Sequence, residues 1–201
     1  MTTVFQLIIL LFSAIIHEVA HGFAAFKLGD DTAEKMGRLT LNPLPHLDFL
    51  GSFAFPLISF LSTGGSLVFG WAKPVPYNPL KLKNLRRDTA LLAFAGPLAN
   101  LSMALIFSLF IRFTINNPQF SGILLFLAII VKINLILAVF NLIPIPPFDG
   151  SKIFFYLFPS RKLESFLYQY SFLFIFLILF FGGGIISLIV DFLFSVFSGI
   201  I

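Results

Sequence analysis

The stretch His17-Glu18-Val19-Ala20-His21 concentrates the chemistry-bearing side chains of this sequence. Residues i and i+4 of an α-helix share one face, with Cβ atoms about 5–6 Å apart. Two imidazoles so placed can both reach one Zn²⁺ through bonds of about 2.0–2.1 Å. Glu18 then stands beside the metal, where it can take a proton from an attacking water. His17 and His21 are two of the three histidines in the chain, and with Glu18 they interrupt an apolar run. Polar and ionisable residues inside a membrane span are costly and mark function by default. The bland alternative is a polar patch that binds neighbouring helices or water.

A catalytic zinc site takes three protein ligands and leaves one position open. The chain has no cysteine, so His, Asp, Glu or Asn must hold any metal. The third-ligand candidates are His46, Asp48, Asp149, Asp191 and a few acidic residues of the first loop. Asp149 stands out because it follows Asn141-Leu-Ile-Pro144-Ile-Pro-Pro-Phe148. Proline breaks a helix there, and irregular backbone can turn a carboxylate inward. Gly150 permits a tight turn or a close backbone approach. On spacing alone, Asp149 can also be a simple cap for a helix starting near Ser151.

The elements that must position these residues are membrane helices. Of 201 residues, 58% are hydrophobic and only 11% charged, against about 25% charged in an average soluble domain. Mean hydropathy is +1.00, and the apolar runs are long enough for four to six spans of about 20 residues. The expected fold is an all-α, polytopic membrane bundle forming one domain over residues 1–201. Helices run from about Val4 to Lys27, Thr89 to Phe113 and Gly122 to Leu142, with a last apolar block from Phe166 to Ile201. The segment at about 50–71 is apolar but broken by Gly51, Pro56, Gly64, Gly65 and Gly70, which suits a re-entrant or surface-lying element. The net charge of +4 falls on loops, as topology signals do, and gives no reason to expect a nucleic-acid partner. Lys and Arg cluster at 27–87 and 152–162, which places those loops in the cytosol. The apolar start lacks the basic region of a signal peptide, so it reads as a retained helix. Lys132, in the middle of a helix, is expected to snorkel or to pair with an acid such as Asp191. His46 and Asp48 are expected to brace a loop.

Three motifs together resemble the site-2 proteases, intramembrane zinc metalloproteases of the M50 type: His17-Glu18-x-x-His21, Gly96-Pro-Leu-Ala-Asn100, and Asn141-x-x-Pro144 followed by Asp149-Gly150. Leu41-Asn-Pro43 and Gly70-Trp-Ala-Lys-Pro-Val-Pro76 resemble a small bacterial and archaeal branch of that family. The resemblance implies one Zn²⁺ held by His17, His21 and Asp149, with Glu18 as catalytic base. It implies that Asn141 helps hold substrate or the developing oxyanion, and that Gly96 and Asn100 shape the site, with Pro144 and Gly150 in the break beside it. It also implies a three-helix catalytic core and transmembrane-helix proteins as substrates in the lipid bilayer. The PDZ and nucleotide-sensing domains of some relatives find no counterpart in the sequence. A homo-oligomer is compatible with the sequence, and a bacterial or archaeal cell membrane, with the site opening to the cytosol, is the expected location. The competing function is a membrane metal-binding or zinc-transport protein. Glu18 discriminates, because a transport site has no use for a base that does not ligate.

Overall fold

A computed structural model describes residues 2–62 and 73–200. The expected segment at 50–71 and the Gly70–Pro76 motif therefore lie partly outside the described residues. Among those described, every regular element is helical.

Helix α1 is Thr2–Lys27, with no charged residue before Glu18 and its first basic residue in the last turn. At 1.5 Å per residue it is about 39 Å long, enough to cross a hydrocarbon core of about 30 Å. A short α2, Thr32–Lys35, follows. A π-helical turn, Phe49–Ala54, leads into α3, Phe55–Ser62. The eight residues of α3 reach only about 12 Å, too short to span a bilayer. The long helix α4, Leu85–Thr114, starts one turn earlier than its apolar run suggests. The Asn84 side chain accepts the Arg87 N–H, and the Asp88 carboxylate accepts the Asn84 N–H in return. This reciprocal cap satisfies donors that a helix start leaves open. Helix α5, Ser121–Asn141, matches the expected fourth segment. It ends at the proline-rich strip, beyond which lie α6, Asp149–Leu157, α7, Arg161–Gln169, α8, Ser171–Phe181, and α9, Gly183–Ser198.

By length and composition α1, α4 and α5 can each cross a membrane. Helices α7 and α8, bent by 64° at their break, make a fourth span if taken together. The three long helices pack on one another: α4 lies along both α5 and α1, and α5 touches α1. Their shared interior divides by chemistry. At one end Ala104, Ile111, Val131, Leu135 and Val190 form a dry core of α4, α5 and α9. At the other end, towards the C-terminus of α1 and the N-terminus of α4, a group of polar residues is buried among apolar ones: Ser13, His17, His21, Asn100, Asn134 and Asp149. Most phenylalanines of α8 point outward, Phe172 at 82% exposure, as a lipid-facing surface requires. Lys132 pairs with Asp191 of α9 at 2.9 Å, as expected of an intramembrane cation.

Candidate metal centre

The carboxylate of Asp149, 132 residues beyond His17 in the chain, reaches both imidazoles. Its Oδ2 lies 3.1 Å from His17 Nε2 and 2.9 Å from His21 Nε2. The two Nε2 atoms are 3.0 Å apart. All three residues are buried. The other sides of the rings are already occupied. His17 Nδ1 faces Asn100 Oδ1 at 2.6 Å, and His21 Nδ1 faces the Leu92 carbonyl at 2.7 Å. The Asn100 amide orientation is fixed in turn. Its Nδ2 donates to the Ser13 carbonyl and to Asn134 Oδ1. Asn134 Nδ2 donates to Ser13 Oγ and the Ile130 carbonyl. Both imidazole Nδ1 atoms thus face pure acceptors and must carry protons, which leaves both Nε2 lone pairs bare.

Two lone pairs and a carboxylate oxygen within 3.1 Å of one another repel unless a metal ion or a proton lies among them. A tetrahedral zinc with bonds of about 2.0–2.1 Å spaces its ligands by roughly 3.3–3.4 Å, so the triangle needs to open by only a few tenths of an ångström. Two neutral imidazoles and one carboxylate are also a donor set zinc takes in catalytic sites. The residues present fit that metal.

Local sequence builds this geometry. A Cβ on Gly96 would lie 2.6 Å from atoms of both imidazoles, so glycine alone lets α4 approach them. Pro97 in the same turn can give no N–H to the Ala93 carbonyl. A Cβ on Gly150 would clash with the Leu142 carbonyl, so glycine also sets how closely α6 abuts the end of α5. The peptide between Pro146 and Pro147 is cis. Asp149 opens α6, where the cap position is Phe148, which makes no side-chain bond. The carboxylate is turned to the imidazoles, with Oδ1 also 3.1 Å from Lys152 Nζ.

A cavity of about 220 Å³ opens onto these ligands, lined also by Glu18, Val75, Tyr77, Asn141, Pro147 and Lys152. Glu18 lies outside the ligand cluster. Its Oε2 accepts the Val75 main-chain N–H at 2.8 Å. Asn141 lines the cavity, and its Nδ2 donates to the Leu137 carbonyl within α5. Pro144 is exposed, and the prolines that line the cavity are Pro74 and Pro147. The structure leaves His46 and Asp48 away from the cluster. His46 is fully buried, with Nε2 2.8 Å from the Thr40 carbonyl, and Asp48 accepts the Gly51 N–H.

Sequence reasoning missed Ser13, Asn134 and Val75. Asn134 had a usable signal, an amide in the middle of an apolar helix two turns before Asn141. Val75 lay inside the Gly70–Pro76 motif, but nothing there pointed to its role, because it acts through its backbone.

Outside the helices, Asp30 and Asp31 tie the first loop to the 73–81 segment. Burial pushes the Asp30 carboxyl up, but the Thr32 hydroxyl, the N–H groups of Asn78 and Thr32, and Lys81 outweigh it and hold it below the usual range. Lys35 and then Lys81 hold Asp31 down, to about 2.

Known proteins share much of this sequence. The model of Peptidase family M50 matches residues 111–182, which include Asn141 and Asp149. The chain is 41% identical over 155 residues to the protein named "Putative zinc metalloprotease YwhC" of Bacillus subtilis, covering 74% of this chain and 67% of that one. It is 31% identical over 140 residues to "Putative zinc metalloprotease Rip2" of Mycolicibacterium smegmatis, covering 70% and 52%. A third relative, "Putative zinc metalloprotease MJ0611" of Methanocaldococcus jannaschii, is 46% identical over 63 residues, 31% of each chain. The chain thus spans about two thirds of the Bacillus protein and about half of the Mycolicibacterium one. No solved structure matches. The chain belongs to peptidase family M50, the family of the site-2 proteases its motifs resemble.

Proposed function

We propose that this protein is an intramembrane zinc metalloprotease that hydrolyses peptide bonds within or near transmembrane segments of membrane-protein substrates. The observation that carries the reading is the convergence of His17, His21 and Asp149, with Glu18 beside them, in one cavity between helices long enough to cross a membrane. One zinc per chain is held by those three residues. When bound, zinc supplies Lewis acidity that polarises a peptide carbonyl and makes water a nucleophile near neutral pH.

The protein's own groups do the rest. Asn100 and the Leu92 carbonyl keep each imidazole in the tautomer that presents a bare Nε2. Glu18 takes the proton of the attacking water and returns it to the leaving amine. Asn141 lines the same cavity, where its amide can bond the substrate carbonyl after leaving Leu137. A transmembrane helix has its carbonyls occupied by its own N–H groups, so the substrate must unwind locally to reach Glu18. Lys and Arg at 27–87 support a cytosolic opening of the site.

The test is cleavage of a single-span model substrate in proteoliposomes by wild type and Glu18→Gln. Wild type should cut and the variant should retain zinc without cutting. Equal cleavage by both would remove Glu18 as base. Zinc flux across the vesicle without cleavage would favour the transport reading.

A further inference from the structure

The carboxylate of Glu18 is held from outside its own helix. Its partner, the Val75 N–H, lies 57 residues on. The local sequence is Lys73-Pro74-Val75-Pro76-Tyr77. Proline carries no N–H, so Val75 has the one main-chain donor between Lys73 and Tyr77.

This strap is fastened on both sides of Val75. Upstream, the Lys73 N–H donates to the His46 carbonyl at 2.8 Å. The buried Arg38 donates through Nη2 to the carbonyls of Lys73 at 2.8 Å and Pro74 at 3.2 Å. Downstream, the Asn78 N–H bonds the buried Asp30 carboxylate. The Val75 side chain is itself buried, in a gap made by Gly22, where a Cβ would approach Val75 Cγ1 to 2.8 Å and Leu39 Cδ2 to 2.7 Å. A lid poised to open is not tied this way on both flanks and in the middle.

We infer that the 73–78 strap is a positioning device for the catalytic base. The Val75 N–H fixes Glu18 Oε2 and leaves Oε1 free for proton transfer, and Arg38 is a positioning residue acting through the strap. The inference rests on the reading of Glu18 as base. A glutamate has several rotatable bonds, and a hydrogen bond to an ionised acceptor is among the stronger ones. Displacing a catalytic group by about 1 Å can cost on the order of 100-fold in rate.

Two measurements on the full chain in detergent test it. Hydrogen exchange at the Val75 amide should accelerate in Glu18→Ala, which loses the acceptor, and stay protected in Glu18→Gln, which keeps an acceptor oxygen. In Arg38→Met, kcat on the model substrate should fall about 10- to 100-fold with KM and zinc content unchanged. Arg38→Lys, which keeps a cationic donor group, should recover part of that loss, and it serves alone if Arg38→Met does not fold. Unchanged Val75 exchange in Glu18→Ala, or wild-type kcat in the Arg38 variant that folds, overturns the inference. Full turnover by Glu18→Gln instead overturns the assignment of the base itself.

Discussion

Replacing Gly96 by alanine adds one methyl group at the point where α4 meets the metal ligands. That methyl would lie 2.6 Å from His17 Cε1, His17 Nε2 and His21 Cε1. Non-bonded carbons settle at about 3.5–4.0 Å, so the rings must withdraw by roughly 0.9 Å. Metal–ligand distances tolerate only about ±0.2 Å. Neither ring can withdraw without stretching a short bond, 2.6 Å to Asn100 or 2.7 Å to the Leu92 carbonyl. The backbone pulls the other way, because alanine in a helix interior is favoured over glycine by about 0.5–1 kcal/mol. The fold should therefore survive while the site does not. Loss of a group that only orients a ligand typically costs 10- to 100-fold in metal affinity. Displacing two ligands at once should cost at least the larger factor, about 2.7 kcal/mol. The assay is zinc affinity by chelator competition, alongside thermal unfolding of the metal-free protein. Zinc held as tightly by Gly96→Ala as by wild type would refute the assignment of the imidazoles as ligands.

Asn134→Leu should weaken zinc binding by about tenfold. It should also lower stability by about 1–3 kcal/mol, since one Asn100 N–H is left buried without its acceptor; chelator competition and chemical denaturation read the two effects. Asp30 and Asp31 both have folded pKa values below the unfolded value. Their stabilisation is therefore present above the unfolded carboxylate pKa of about 4 and is lost as pH falls below it, for Asp31 through its folded value of about 2. The melting temperature of wild type should drop across that window more steeply than that of the Asp30→Asn/Asp31→Asn double variant. Lys132→Met and Asp191→Leu should each lower the melting temperature, and the double variant should lose less than the sum, because each single change strands a charge in the apolar layer. Strict additivity would show the pair uncoupled.

What could be read from the sequence depended on range. The His17/His21 pair was legible because both ligands lie on one helix and the α-helical period alone brings them together. Membrane class and the spans of α1, α4 and α5 followed from long, predominantly apolar runs. Asp149 was different. Nothing local brings it to His17, and a helix cap explained its spacing nearly as well, so the resemblance in motif had to decide. Gly96 and Asn100 were flagged by their own motif as residues that shape the site, but the ring atoms each one meets appear only once α4 is laid against α1. Asn134 escaped notice because Lys132, two residues away, is the louder polar signal, yet Lys132 turns outward to Asp191. The Gly70–Pro76 motif covered part of the strap, but its contact with Glu18 was invisible because the active atom is a backbone N–H, and side-chain type does not report where a main-chain donor points.

The central claim is that three residues distant in the chain, His17, His21 and Asp149, hold one zinc ion. Zinc content per folded chain in Asp149→Ala, with His46→Ala as the comparison, tests it most directly. Asp149→Ala should lose most of its zinc and all cleavage, while His46→Ala keeps the metal, since the ring of His46 braces a loop against Thr40. Full zinc in Asp149→Ala together with loss in His46→Ala would contradict the account and move the third ligand to the first loop.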